Sequence, residues 1–196
     1  MPVAHSDTLG LSQPNAKVAG GGFEQCYNAQ AVVAADSLLV MAIDVVQATN
    51  DKQQFQPMLN KLTTLPAILG KAKTLLADNG YFSATNVTAC RATPIAPLIA
   101  MGRQPHYPPL AGRLAGEPYP PKDPTPVEAM AHWLQTADGR KLYALRKQIP
   151  EPVFGIIKSV MGFRQFLLRG LDRVRGEWNL VTMAWNMKRM FVPRPV

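Results

Sequence analysis

The sequence predicts an α/β fold whose sheet is partly parallel. Three observations carry this. Over residues 27–100, apolar runs of strand length alternate with stretches of helical period. The first two strands are separated by a turn signal alone, whereas the later ones are separated by helices. The last third of the chain is helical and basic. At 196 residues, 47% hydrophobic and 17% charged, the chain fits one soluble domain with a sizeable core.

Residues 1–22 read as a weakly ordered segment. Pro14, Asn15 and Gly20 to Gly22 punctuate it, and only Leu9–Ser12 reads as a short strand. YNAQAVVA (Tyr27–Ala34) and LLVMAIDVV (Leu38–Val46) form an antiparallel hairpin about an Asp36-Ser37 turn. NDKQQFQPMLNKL (Asn50–Leu62) is a helix with Asn50 as cap, Phe55, Met58, Leu59 and Leu62 at helical spacing, and Pro57 as a break or kink. KTLLAD (Lys73–Asp78) is a short buried strand, Ser83–Ala92 a helix capped by Ser83, and Ala96–Ala100 a further strand. The prolines crowded into 101–124 mark a long loop. TPVE (Thr125–Glu128) opens a helix ended by Asp138-Gly139. KLYALRKQ, EPVFGIIKSVMGF and GEWNLVTMAWNMKRMF complete the helical region, with Trp178, Val181, Trp185 and Met190 as core positions of the last helix.

Charge is unevenly spread. Residues 140–196 carry 12 Lys/Arg against 3 Asp/Glu, while residues 1–139 carry 9 against 10. The whole excess lies in the helical third, which suggests either a nucleic-acid-facing surface or a solvated basic face. Cys26 and Cys90 lack metal-ligand spacing and read as reduced, buried side chains. His5, His106 and His132 are scattered. No apolar run is long enough to span a membrane and the N-terminus is no signal peptide, so the expectation is a cytoplasmic protein.

Two carboxylates stand out. Asp78 closes a buried strand just before a glycine, as a turn former or as a metal ligand. Glu151 starts a helix beside Arg146 and Lys147, as a partner of the helix dipole or as a second ligand. Lys158 lies two helical turns further on, on the same face. An Asp and a Glu so arranged beside a basic surface suit phosphoryl transfer with bound magnesium.

The segments FEQCYNAQAVVAADSLLVMAIDVVQATND, LLADNGYFS and YALRKQIPEPVFGIIKSVMGFRQFLLRGLDRVRGEWNLVTMAWNMKRM resemble the catalytic domain of DDE transposases of bacterial insertion sequences, from about Gln13 to Phe191. The resemblance implies an RNase H-like mixed sheet flanked by helices over residues 23–192, with the 101–124 loop inside it. It implies that Asp78 and Glu151 are catalytic, holding two Mg2+ or Mn2+ ions with a third carboxylate. A Tyr, Arg, Glu, Lys signature is matched by Tyr143, Arg146, Glu151 and Lys158, with one extra residue between Arg146 and Glu151. Contacts to DNA are implied for Tyr143, Arg146 and Lys158 and, along the basic surface, for Arg164, Arg169, Arg173 and Arg175. The partners implied are element ends and target DNA, with a homo-oligomer assembled on them.

Two departures from the family pattern set further expectations. Gln13 stands where relatives carry the first Asp, in a Thr-Asp-Pro stretch; Asp7, Asp36 and Asp44 are the nearby carboxylates. The family's N-terminal region is not in the sequence, so the first strand is expected to be short or missing and the chain to be a truncated transposase. The alternative is a catalytically inactive DNA-binding remnant. A nuclease of the same fold is a weaker third reading.

Overall fold

The computed structural model describes residues 2–9, 16–17, 23–24, 27–48, 51–102 and 118–191. The strands are β1 (Pro2–Leu9), β2 (Ala16–Lys17), β3 (Phe23–Glu24), β4 (Tyr27–Ala34), β5 (Val40–Val46), β6 (Thr74–Ala77) and β7 (Ala96–Ile99). The helices are α1 (Phe55–Thr63), α2 (Ala84–Arg91), α3 (Pro126–Gln135), α4 (Ala137–Ala144), α5 (Pro150–Ser159) and α6 (Leu171–Met190). Five strands form one sheet in the order β5-β4-β1-β6-β7, and β2 pairs with β3 apart from it. β1 runs antiparallel to β4 and parallel to β6, and β6 runs parallel to β7. The mixed α/β class is as expected.

Alternation along the strands sorts their side chains between two cores. Tyr27, Ala29, Ala31, Val33 and Leu76 pack with Val153, Phe154 and Ile157 of α5 and Val174, Trp178 and Trp185 of α6. Val32, Leu75 and Ala77 face the other way, against Phe55, Met58 and Leu59 of α1 and Val87 and Cys90 of α2. Burial pushes the Cys90 thiol up to about 12, so it packs as a small apolar group; Cys26 lies outside the described residues.

The first strand corrects the sequence reading. Where a short or missing strand was expected, Pro2–Leu9 forms eight residues at the centre of the sheet. Its polar run His5-Ser6-Asp7-Thr8 gives no hydrophobic signal. Its place is fixed by pairing: Pro2 to Leu9 match Ala34 to Tyr27 residue by residue, and Val3 pairs with Leu76. Long-range pairing of this kind overrides local propensity.

Smaller corrections have local causes. Pro57 does not break α1, because it falls in the first turn, where its missing N–H is tolerated. Asp138-Gly139 lies inside the first turn of α4. Thr136 ends α3 and caps α4 at once, its Oγ1 accepting from Gly139 N at 3.1 Å. A Cβ on residue 139 would lie 1.7 Å from the Trp133 carbonyl oxygen, so the close approach of the two helices requires glycine. α5 ends at Ser159, and Gly162 has φ +75°. Met190 is 69% exposed, and Thr182 takes the buried position on α6 instead. Val181 is half-buried against the core. Of the 101–124 loop, 103–117 lies outside the described residues.

α6 also guards the free edge of the sheet. The Asn186 side chain accepts from Val40 N and donates to Val40 O, both at 2.8 Å, so it pairs with β5 as a strand residue would. Trp185 Nε1 donates to Leu38 O at 2.8 Å and Arg189 Nε to Ser37 O at 2.8 Å. Asp44 ties both layers together, reaching Lys61 of α1 at 2.8 Å and Arg175 of α6 at 3.1 Å. Partial burial raises the Asp44 carboxyl. The hydrogen bond and charge of Lys61, the Val45 N–H and Arg175 outweigh this and hold it below the usual carboxylate value. Its contribution to stability is therefore present above the unfolded-state value near 3.8 and is lost as pH falls through the depressed one. Asp44→Asn should flatten this part of the acid limb in urea titrations carried down through and below the unfolded-state value near 3.8.

Candidate active site

The stretch Thr74–Ala77 is buried throughout and delivers Asp78 to the C-terminal end of β6. The Asp78 backbone is extended, and its Oδ1 accepts from Gly80 N at 2.9 Å, capping a 3-10 turn over Asn79–Tyr81. The turn-forming reading of Asp-Asn-Gly is thus correct as geometry. It leaves the ligand reading open, because an ionised carboxylate has about four lone-pair sites and this cap uses one.

Tyr143 and Arg146 meet beside this turn. The Tyr143 hydroxyl donates to Ala77 O at 3.3 Å, which joins the end of α4 to the end of β6. The Arg146 guanidinium carbon lies 5.5 Å from the centre of the Tyr143 ring, a cation–π distance. Burial raises the Tyr143 phenol above its ordinary value; the charge of Asp78 acts in the same direction and Arg146 opposes both. The phenol is therefore a neutral donor at neutral pH. Arg146 Nε is buried and has no hydrogen-bond partner among the described residues.

Glu151 stands in the first turn of α5 between Pro150 and Pro152, and is exposed. The opposite side of α5 is buried through Val153, Phe154 and Ile157, and the helix packs on β1 and β4. Lys158 is in the last turn, half-buried. Arg164 and Arg169 belong to the irregular segment between α5 and α6, and Arg173 to the first turn of α6; all three are exposed. Arg175 does not belong with them, since it is committed to Asp44 and the Val45 carbonyl.

The nearby carboxylates separate by position. Asp36 is in the β4–β5 turn and Asp44 is in its ion pair. Gln13 lies outside the described residues. Asp7 is a β1 residue, in register with Ala29, on the strand next to β6. Among the described residues, no three His, Cys, Asp or Glu side chains form a metal-binding group. The oxygen donors of Asp78 and Glu151 are nevertheless the hard kind that a magnesium-type ion takes.

Asp51 was missed by the sequence reading, which saw only a helix cap at Asn50. Its Oδ1 accepts from Asn28 Nδ2 at 2.7 Å and Gln30 Nε2 at 3.2 Å. The available signal was two amides, Asn28 and Gln30, inside an otherwise apolar strand.

The family model described as "Transposase DDE domain" matches residues 2–187. The chain belongs to the transposase DDE domain family. No curated protein and no solved structure matches it. The match begins at Pro2 and so takes in β1 as well as the segments from Tyr27 onward. A transposase DDE domain acts in DNA transposition, and its family generally uses divalent metal ions. No helix among the described residues of this DDE domain is long and apolar enough to cross a membrane.

Proposed function

We propose that this chain is an RNase H-like transposase domain that hydrolyses a phosphodiester at an element end and transfers the freed 3′-hydroxyl to target DNA. Asp78 and Glu151 act as catalytic metal ligands; the third carboxylate is expected from β1, where Asp7 stands, since Gln13 carries no charge. The observation that carries this reading is topological. β6, which ends at Asp78, pairs in parallel with β1, which holds Asp7, and α5, which begins at Glu151, packs on that same β1.

Bound divalent ions, Mg2+ or Mn2+, would stabilise charge on the attacking and leaving oxygens. The chain's own residues do the rest. Arg146, over the Tyr143 ring, and Lys158 hold phosphate oxygens. Tyr143 keeps Arg146 in place. Water attacks phosphorus in line and the 3′-oxygen leaves; that 3′-hydroxyl then attacks a target phosphodiester, releasing a second 3′-oxygen. Nicking of supercoiled plasmid in Mn2+, absent when EDTA is added, tests the reading. A chain that binds DNA but never nicks supports the second one, an inactive remnant. That reading is favoured by Gln13, which offers no charge where the resemblance puts the first Asp.

Arg164, Arg169 and Arg173 extend the DNA surface as sequence-independent phosphate contacts. Replacing all three by alanine should weaken binding to any duplex and lower the slope of log K against log salt by about 0.9 for each phosphate no longer neutralised. Fluorescence anisotropy across a salt series checks this. An unchanged slope assigns these arginines to a solvated face.

A further inference from the structure

The turn that carries Asp78 is held down by a buried polar network. Tyr81, at the end of the turn, donates its hydroxyl to Gln30 Oε1. Gln30 Nε2 in turn reaches Asp51 Oδ1 at 3.2 Å and Asn28 Oδ1 at 2.9 Å. Asn86 Nδ2 donates to Tyr81 O and to Lys52 O, both at 2.8 Å, and so joins the turn to the residue after Asp51. Gln30, Tyr81 and Asn86 are buried within the sheet–α1–α2 layer. Asp51 closes the circuit on the side where the network meets Asp78. A Cβ built on Gly80 would lie 3.0 Å from Asp78 Oδ1 and 3.3 Å from Asp51 Oδ2. The two carboxylates thus both stand close to one glycine, whose N–H is the donor that fixes Asp78.

We propose that Asp51 is a positioning residue: it holds the Asp78–Tyr81 turn on β4 through Asn28 and Gln30, and thereby fixes the carboxylate of Asp78. This rests on the reading of Asp78 as a metal ligand only for its consequence, not for the bracing itself. The role of Asp51 is to accept hydrogen bonds rather than to bring charge. Asparagine can supply the same Oδ1 acceptor to Asn28 and Gln30. Alanine removes the acceptor and takes one partner each from the buried Gln30 amide and the half-buried Asn28 amide. Groups that orient a metal ligand typically change metal affinity by about 10–100-fold when removed.

The test follows the Gly80 amide by NMR in the full chain, comparing wild type with Asp51→Asn, Asp51→Ala, Tyr81→Phe and Asp78→Asn well below their unfolding temperatures. Without metal, Gly80 N–H exchange should be about tenfold faster in Asp51→Ala, as the loss of roughly one hydrogen bond implies, and close to wild type in Asp51→Asn. Tyr81→Phe, which keeps the ring and loses only the bond to Gln30, should lie between. The Mn2+ concentration that half-broadens this amide should rise about 10–100-fold in Asp51→Ala and stay near wild type in Asp51→Asn. Unchanged Gly80 exchange in both Asp51→Ala and Tyr81→Phe overturns the proposal. It is overturned equally if Asp51→Asn weakens Mn2+ as much as Asp51→Ala, for then the charge is what matters. If Mn2+ broadens wild type and Asp78→Asn alike, the metal reading of Asp78 fails, while the metal-free exchange rates still decide the bracing role.

Discussion

Replacing Trp178 by alanine is expected to cost about 3–5 kcal/mol, the range for emptying a large aromatic site. Trp178 is 0% exposed and is the hub of the core under α6. Its ring stacks on Phe154 of α5 at 5.7 Å and 18°. Phe163 and Phe166 flank it at 6.3 Å each. Its Nε1 donates to Gln30 O at 3.2 Å, so the mutation also strips a partner from a buried carbonyl of β4. In a chain of this size each kcal/mol shifts Tm by about 2–4 °C, so a drop on the order of 10 °C is expected. Trp178→Phe keeps most of the packing and should fall well short of that loss. Thermal melts followed by circular dichroism separate the two variants. Equal losses would mean that the indole hydrogen bond, and not the packed volume, dominates.

Asp78→Asn and Glu151→Gln should each reduce Mn2+-dependent plasmid nicking by on the order of a hundredfold or more, as loss of a group that stabilises developing charge does, with little change in Tm. Glu151 is exposed on the first turn of α5, and removing its charge withdraws only a modest favourable interaction with the helix dipole. Asp78→Asn keeps an oxygen that can accept from Gly80 N, so the turn survives. A stability loss large enough to explain the activity loss would return both residues to the structural roles that their positions also allow. Arg146→Ala should act differently. It removes a side chain beside Tyr143 rather than a ligand, so weaker DNA binding should accompany any loss of rate.

Much of the architecture was legible because it is written in local periods. The alternation of Tyr27–Ala34, the apolar run before Asp78 and the Ser83 and Thr125 caps all appear as read, down to the capping box between Thr125 and Glu128. β1 was not legible. A central strand with His5, Ser6, Asp7 and Thr8 in sequence shows no apolar pattern, and only its partners β4 and β6 reveal it. The Asp78 turn was read correctly, but its brace was not. Asp51 and Asn86 are distant in sequence from Asn28 and Gln30, and the four become one network only once the chain is folded. Arg175 was misread for a related reason. It is one more cation in a basic run until Asp44 and the carbonyl of Val45 are brought to it.

Catalysis by this chain stands or falls with the first carboxylate. Plasmid nicking in Mn2+ by the wild-type chain, Asp7→Asn and Gln13→Asp, with unfolding curves for each, tests it most directly. Wild type should nick, Asp7→Asn should not although it stays folded, and Gln13→Asp should add little. Nicking by Gln13→Asp alone would contradict the assignment of Asp7, returning the first carboxylate to position 13 and leaving the natural chain a DNA-binding remnant.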